Sequence, residues 1–405
     1  MSKERVVIAG AGHAGGTVAA MLRQYGFEGS IVLIGEEPIA PYQRPPLSKA
    51  WLKGEADAES LMLRPESWYA EGQVDLRLST RVEAIDRAAR TVTLSDGSSL
   101  PYDNLVLATG ARARRLPVPG ADADHVGVLR SAADAEWLKH RLGPGRRLAV
   151  IGGGYVGLEA AASARALGAE AVIVEREARV LARVAGPVLS DYFQSRHEAR
   201  GVSFELSAEV TAIEPNGVRL ADGRLIAADT VLVGIGAYAD TELAQAAGLE
   251  CADGVVVDLD ARTSDPAIFA VGDMTHRPLP LYGRSARLES VPSALEQAKQ
   301  AASAICGRPR PADEVPWFWS DQYELKLQIA GLAWDCDTLV ERGDGAADSF
   351  ALFHLKDGVV RAVEAVNAAP EFMGGRQLIG RQIAVDPTRL ADASVPMKAL
   401  LAGQG

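Results

Sequence analysis

The chain has 405 residues and a net charge of −11, from 42 Lys and Arg against 53 Asp and Glu. That length allows roughly two or three domains, and the acidity excludes a general nucleic-acid binder. The three cysteines, Cys251, Cys306 and Cys336, are far apart, which excludes a disulfide framework or a cysteine-based zinc site, and no metal is expected.

The first segment, Met1 to Leu22, places Lys3 and Arg5 before an apolar run, as an export signal would. It also holds VVIAGAGHAGG, where Gly10, Gly12 and Gly15 separate a β-branched run from an Ala-rich helical stretch. In such a turn the first glycine makes the bend and the second lets a pyrophosphate approach without a Cβ in the way. The third lets helix and strand pack closely. The helix start offers free N–H groups and partial positive charge to the phosphates. A second strand, SIVLIGE, ends in Glu36, at the spacing of about 20 positions that suits an acid on the ribose hydroxyls.

The antiparallel stretch TVTLSDGSSLPYDNLVLATGA (91–111) follows, with Asp96-Gly97 as its hairpin turn. The whole arrangement then recurs. Gly152, Gly154 and Gly157 lie in LAVIGGGYVGLEAA, Glu175 closes AEAVIVE, and GVRLADGRLIAADTVLVGIGA (217–237) repeats the excursion with Asp222-Gly223. Asp103 aligns with Asp229 and Gly110 with Gly236. One glycine motif is weak evidence; two complete units predict two dinucleotides bound at once. The long apolar stretch 148–174 contains Glu159, Arg165 and Glu170, so a strand–helix unit explains it better than a membrane span. A cytoplasmic protein with no membrane or nucleic-acid partner is expected.

The first copy carries an insertion around residues 37–65, including YQRPPLSKAWLKG. TSDPAIFAVGD (263–273) supplies a strand without its own glycine motif, and SALEQAKQAASAICG (293–307) a helix; both are expected to complete the first domain. Beyond Arg308-Pro309-Arg310-Pro311, WFWSDQYELKLQIAGL and SFALFHLKDGVVRAVEAV read as antiparallel strands, with Asp357-Gly358 as a turn. The predicted fold is α/β: two Rossmann-like dinucleotide-binding domains and a small C-terminal α+β domain. The expected division is 1–114 with 243–314, then 115–242, then 315–405.

Six segments together, the GxGxxG at Gly10, PYQRPPLSK, LVLATGA, IGGGYVGLE, IFAVGDMT and PWFWSDQY, carry a resemblance that covers nearly the whole chain. The chain resembles the FAD-dependent pyridine nucleotide-disulfide reductase superfamily, whose fold is glutathione-reductase-like. Within it, it is similar to the NADH-dependent ferredoxin reductases of bacterial oxygenase systems, of the putidaredoxin reductase and rhodocoxin reductase type.

The resemblance implies non-covalent FAD on the first domain and NADH on the second. By matching motif, Gly10, Gly12, Ala14, Gly15 and Glu36 would hold the FAD pyrophosphate and adenine ribose. Arg44, Val82, Thr109, Gly110 and Arg130 would contact other parts of FAD. Asp273, after Gly272, would bind the ribityl chain with a helix start behind it, and Val291 would offer backbone contacts. Gly152, Gly154, Tyr155, Gly157 and Glu175 would hold the nicotinamide dinucleotide. The catalytic candidates are Lys49 beside the flavin, Glu159 and Trp319. Glu159 is expected to pair with Lys49, since buried charges need partners. His13 and His276 read as structural.

Relatives that reduce disulfides need a redox cysteine beside the flavin, and the region from Arg44 to Lys49 has none. Electrons would therefore leave to an outside acceptor. The resemblance implies a 2Fe–2S ferredoxin serving a haem-thiolate monooxygenase or a ring-hydroxylating dioxygenase, with Arg308 and Arg310 as candidate basic contacts. A monomer or weak dimer is expected. Glu175 disfavours a 2′-phosphate and so favours NADH, with Arg176 and Arg183 as the opposing signal. Two other readings stay open: an NADH-dependent reductase of a small acceptor such as monodehydroascorbate or a quinone, and a redox-sensing interaction protein of the apoptosis-inducing-factor type.

Overall fold

Three five-stranded sheets organise residues 4–402, the part of the chain that the computed structural model describes. The first sheet is parallel and runs Ile268–Ala270, Asn104–Leu107, Arg5–Ala9, Ser30–Ile34, Val74–Arg77. The second is also parallel and repeats that order with Val126–Gly127, Thr230–Val233, Arg147–Ile151, Glu170–Val174 and Val202–Glu205. Only the origin of the outer strand differs. In the first sheet it arrives after the second sheet has been completed; in the second it comes before. The chain thus leaves the first unit and returns to it. The two connecting segments cross side by side, Ala111–Ala113 pairing antiparallel with Ala237–Ala239.

The strands are apolar on both faces because both faces are covered. In the first sheet Val6 and Ile8 pack under the helices His13–Gln24 and Val291–Ile305, while Val7 and Ala9 face Val92 and Leu94 of the antiparallel excursion. The repeat extends to single hydrogen bonds. Asp103 Oδ2 accepts from the Arg5 N–H at 2.6 Å, and Asp229 Oδ2 accepts from the Arg147 N–H at 2.9 Å.

The third sheet is antiparallel, in the order Trp317–Gln322, Leu325–Gly331, Val359–Val366, Ser349–Lys356, Thr338–Asp344. Side-chain alternation gives it two apolar faces. Phe353 and Val363 lie under the helix Ala369–Arg381. Leu327, Ile329 and Leu352 share a core with Leu158 and Phe193 of the second unit. The insertion in the first unit folds as a 3₁₀ turn, Pro45–Ser48, and a short helix, Ala50–Lys53, stopped by Gly54 at φ +75°. This turn packs against the helix Tyr155–Ala166, bringing Lys49 to the second glycine motif.

Candidate functional site

The two glycine turns open into one continuous cleft of about 2220 Å³, well beyond the roughly 300–1,000 Å³ of a drug-sized pocket. All the candidate site residues line it except Gly15 and Gly157. The reason is visible in what a Cβ would meet. At Gly15 it would lie 1.9 Å from the Gly10 carbonyl oxygen, and at Gly157 2.3 Å from that of Gly152. These two glycines serve helix–strand packing. The middle glycines are different: a Cβ on Gly12 or Gly154 would meet nothing within 4 Å. The helices that follow, His13–Gln24 and Tyr155–Ala166, have no side-chain cap at their first turns. Each turn is therefore an open cradle with free N–H donors, which is what a dinucleotide pyrophosphate requires.

On the first side the Arg130 guanidinium reaches Asp273 at 3.0 Å, and Arg44 bonds Glu37 at 2.7 Å and the Arg130 carbonyl at 2.6 Å. Asp273 does not start a helix. Gly272 turns the chain and the strand Thr275–Leu279 follows, with the Thr275 hydroxyl closing the turn on the Gly272 carbonyl. The helix at this site is Val291–Ile305, capped by Ser290, with Val291 as its first residue in the cleft. Thr109 donates its hydroxyl to the Asp240 carbonyl at 2.7 Å, tying the two crossing segments.

His13 also lines the cleft. Burial first, and then Arg44, hold its pKa down at about 4. It is neutral near pH 7, and the positive charge at this end of the cleft lies on Arg44, Arg130 and the helix start. His197, fully buried, is likewise held at about 4 by burial. Unfolded, both would titrate near 6.5, so the unfolded chain binds more protons between pH 6.5 and about 4. Stability is expected to be intact above that window and to fall as pH drops through it. Thermal melting across the window checks this; a flat melting temperature would contradict it.

Where the halves of the cleft meet, Lys49 Nζ lies 2.8 Å from Glu159 Oε2. Glu159 is 5% exposed, and Ser48 Oγ donates to the same oxygen at 2.5 Å while Ser320 Oγ donates to Oε1 at 2.6 Å. Both serines lie in segments that carry the resemblance, PYQRPPLSK and PWFWSDQY, though neither is among the candidate site residues, and each comes from a different unit. Tyr155 has a buried hydroxyl with no partner, pushed up in pKa by burial, and its ring meets Phe318 edge-on at 4.7 Å.

On the second side both Glu175 oxygens accept backbone N–H groups, from Gly153 at 2.6 Å and Glu177 at 2.9 Å. Arg176 turns to Glu177 at 3.1 Å; Arg183 lines the cleft. Trp319 lines the cleft as well and lies 5.6 Å, centroid to centroid, from Trp317. Arg308 and Arg310 do not line it: Arg310 is paired with Asp313, and Arg308 lies over the Tyr25 ring. None of the three cysteines lines the cleft, and the described residues hold no His, Cys, Asp and Glu cluster suited to a metal. No helix among them is long and apolar enough to cross a membrane.

Residues 4–298 match the pyridine nucleotide-disulphide oxidoreductase family and residues 317–401 the reductase C-terminal family. A probable ferredoxin reductase of Castellaniella defragrans is 52% identical, over 98% of this chain and 99% of the relative. Putidaredoxin reductase of Pseudomonas putida is 42% identical, over 99% and 97%. A crystal structure of the covalent putidaredoxin reductase–putidaredoxin complex superposes with a TM-score of 0.97, at 42% identity and covering 99% of both chains. With its two glycine turns and these likenesses, the chain belongs to the pyridine nucleotide-disulphide oxidoreductase family.

Proposed function

We infer that the chain is an FAD-containing NADH:ferredoxin reductase, working in the cytoplasm and supplying electrons to a 2Fe–2S ferredoxin of an oxygenase system. The observation that carries this is the single cleft: it joins two phosphate cradles through the Lys49–Glu159 pair, with no cysteine in its lining. When bound, FAD would supply the chemistry, as a hydride acceptor toward NADH and a one-electron donor toward the ferredoxin.

The chain's own residues supply position and charge. Gly12, the first N–H groups of the helix His13–Gln24, Arg44 and Arg130 would hold the FAD pyrophosphate. Gly154 and the start of the helix Tyr155–Ala166 would hold that of NADH. Lys49 would place a cation, fixed by Glu159, beside the flavin. Trp319 begins an aromatic series that continues through Trp317 to Phe372, at 5.6 and 5.7 Å, with the Arg376 guanidinium 5.4 Å above Trp317. This series adds the helix Ala369–Arg381 to Arg308 and Arg310 as a candidate surface for ferredoxin contact, with Arg310 paired to Asp313 and Arg376 to Glu314.

Glu175 and Glu177 would set two carboxylates against an adenosine 2′-phosphate, and Arg176 pairs with Glu177 on the surface. NADH is expected to exceed NADPH in kcat/KM by at least about tenfold, the equivalent of one unfavourable charge contact of roughly 1.4 kcal/mol. Steady-state kinetics with both cofactors test it, and equal or better efficiency with NADPH would contradict it. The function itself is tested by cytochrome c reduction. Rapid turnover only when a ferredoxin is added supports the reading. Rapid direct reduction of a quinone or of monodehydroascorbate supports a small-molecule reductase, and a long-lived charge-transfer complex with negligible turnover supports an interaction protein.

A further inference from the structure

Glu159, on the second unit, is reached by side chains of both other units, Ser48 and Lys49 of the first and Ser320 of the C-terminal sheet, and the direction of each proton around it can be deduced. A carboxylate only accepts, so Ser320 spends its hydroxyl proton on Oε1 at 2.6 Å. Ser320 must then accept from Gln322, which puts the amide Nε2 toward it at 3.1 Å and the amide oxygen toward His197. That oxygen also only accepts, so His197 carries its proton on Nε2, 2.8 Å away. Burial keeps His197 neutral, with a pKa near 4. Its bare Nδ1 therefore accepts from the Tyr323 hydroxyl at 3.2 Å. All four bonds run the same way and end on Glu159, an arrangement in which donors polarise one another.

The placement is costly unless it serves the pair. Ser320, Gln322 and His197 are each fully buried, in a layer otherwise built of Leu158, Phe193, Leu325 and Leu327. Apolar residues of similar size would weld the units as well without desolvating polar groups. The alternate positions of the same strand, Trp317 and Trp319, carry the aromatic pair. One strand thus connects the carboxylate to the tryptophan at the cleft.

We propose that Ser320, Gln322 and His197 are positioning residues that fix the Glu159 carboxylate, and through it the Lys49 ammonium, for hydride transfer in the cleft. The proposal rests on the reading of the cleft as the meeting place of FAD and NADH. The test compares FAD-loaded parent, Ser320→Ala and Ser320→Thr by anaerobic stopped flow with NADH, by flavin midpoint potential and by melting temperature. Ser320→Ala is expected to slow NADH-driven bleaching about tenfold, as the loss of one hydrogen bond to a charged group implies. It is also expected to move the potential in the negative direction, because Glu159 then draws more of the Lys49 charge. Ser320→Thr keeps the hydroxyl and should restore both values.

Gln322→Met keeps the length of the side chain and offers Ser320 no donor, and should reproduce the Ser320→Ala effect; it carries the test if Ser320→Ala does not fold. Parental bleaching and potential in these variants, with or without a lower melting temperature, would reduce the chain to structural glue and overturn the proposal. A parent that NADH does not bleach would overturn the reading of the cleft itself, and the proposal with it.

Discussion

Valine at Gly12 is expected to give a folded but colourless protein, and valine at Gly154 a folded, yellow protein that NADH does not bleach. Both glycines have ordinary extended backbone, φ −91° and −81°, which any residue adopts. Both have open space where a side chain would go. The fold therefore tolerates the isopropyl group, and the pyrophosphate does not. Each variant should lose at least about a thousandfold in affinity for its own dinucleotide, roughly 4 kcal/mol. Gly10 and Gly152 provide the contrast. They sit at φ +117° and +107°, and a Cβ there would strike backbone at 2.2 and 2.5 Å. Substitution at either should damage folding itself. Visible absorbance and circular dichroism of the purified variants separate the outcomes. A Gly12→Val protein with a full complement of FAD would show that the first cradle is not the flavin site.

Replacing Lys49 by methionine is expected to destabilise the protein by about 3–5 kcal/mol, since it leaves a nearly buried carboxylate without its cation. The Ser48 and Ser320 hydroxyls remain on Glu159 but cannot neutralise it. Adding Glu159→Gln should recover part of the loss, because the uncompensated charge goes with it; a double-mutant cycle isolates that coupling. The same single variant should slow NADH-driven bleaching by at least about tenfold, or roughly 1.4 kcal/mol of barrier. Denaturant unfolding and stopped-flow absorbance are the two measurements. Equal stability of parent and Lys49→Met, or no rescue by Glu159→Gln, would mean the pair is not coupled.

The features legible in the chain are those that backbone geometry imposes locally. Glycine turns, acid-terminated strands and Asp-Gly hairpins each answer a conformational demand within a few residues, and their repetition identified two cradles. The Lys49–Glu159 pair was legible because two charges flanked by apolar sequence need partners. The polar chain behind Glu159 was not. Serine and glutamine are residue types usually found in contact with water, and the docking of the helices Tyr155–Ala166 and Pro187–Glu198 on the C-terminal sheet is what buries Ser320, Gln322 and His197. The helix start expected behind Asp273 is not the chain that follows it, which continues as a strand because Thr275 pairs into a neighbouring sheet; it is the distant helix Val291–Ile305, whose Gln297 accepts from the Gly272 N–H. Arg308 and Arg310 are candidate basic contacts in the sequence, and the structure adds that Arg310 pairs with its i,i+3 neighbour Asp313.

The most direct measurement is an anaerobic titration of the purified protein, NADH first and then an oxidised 2Fe–2S ferredoxin. The account predicts a yellow protein bleached by one equivalent of NADH and returned to yellow by two equivalents of ferredoxin, each taking one electron. A protein that takes up no flavin, or a bleached one that ferredoxin leaves unchanged while a quinone restores its colour at once, would contradict it.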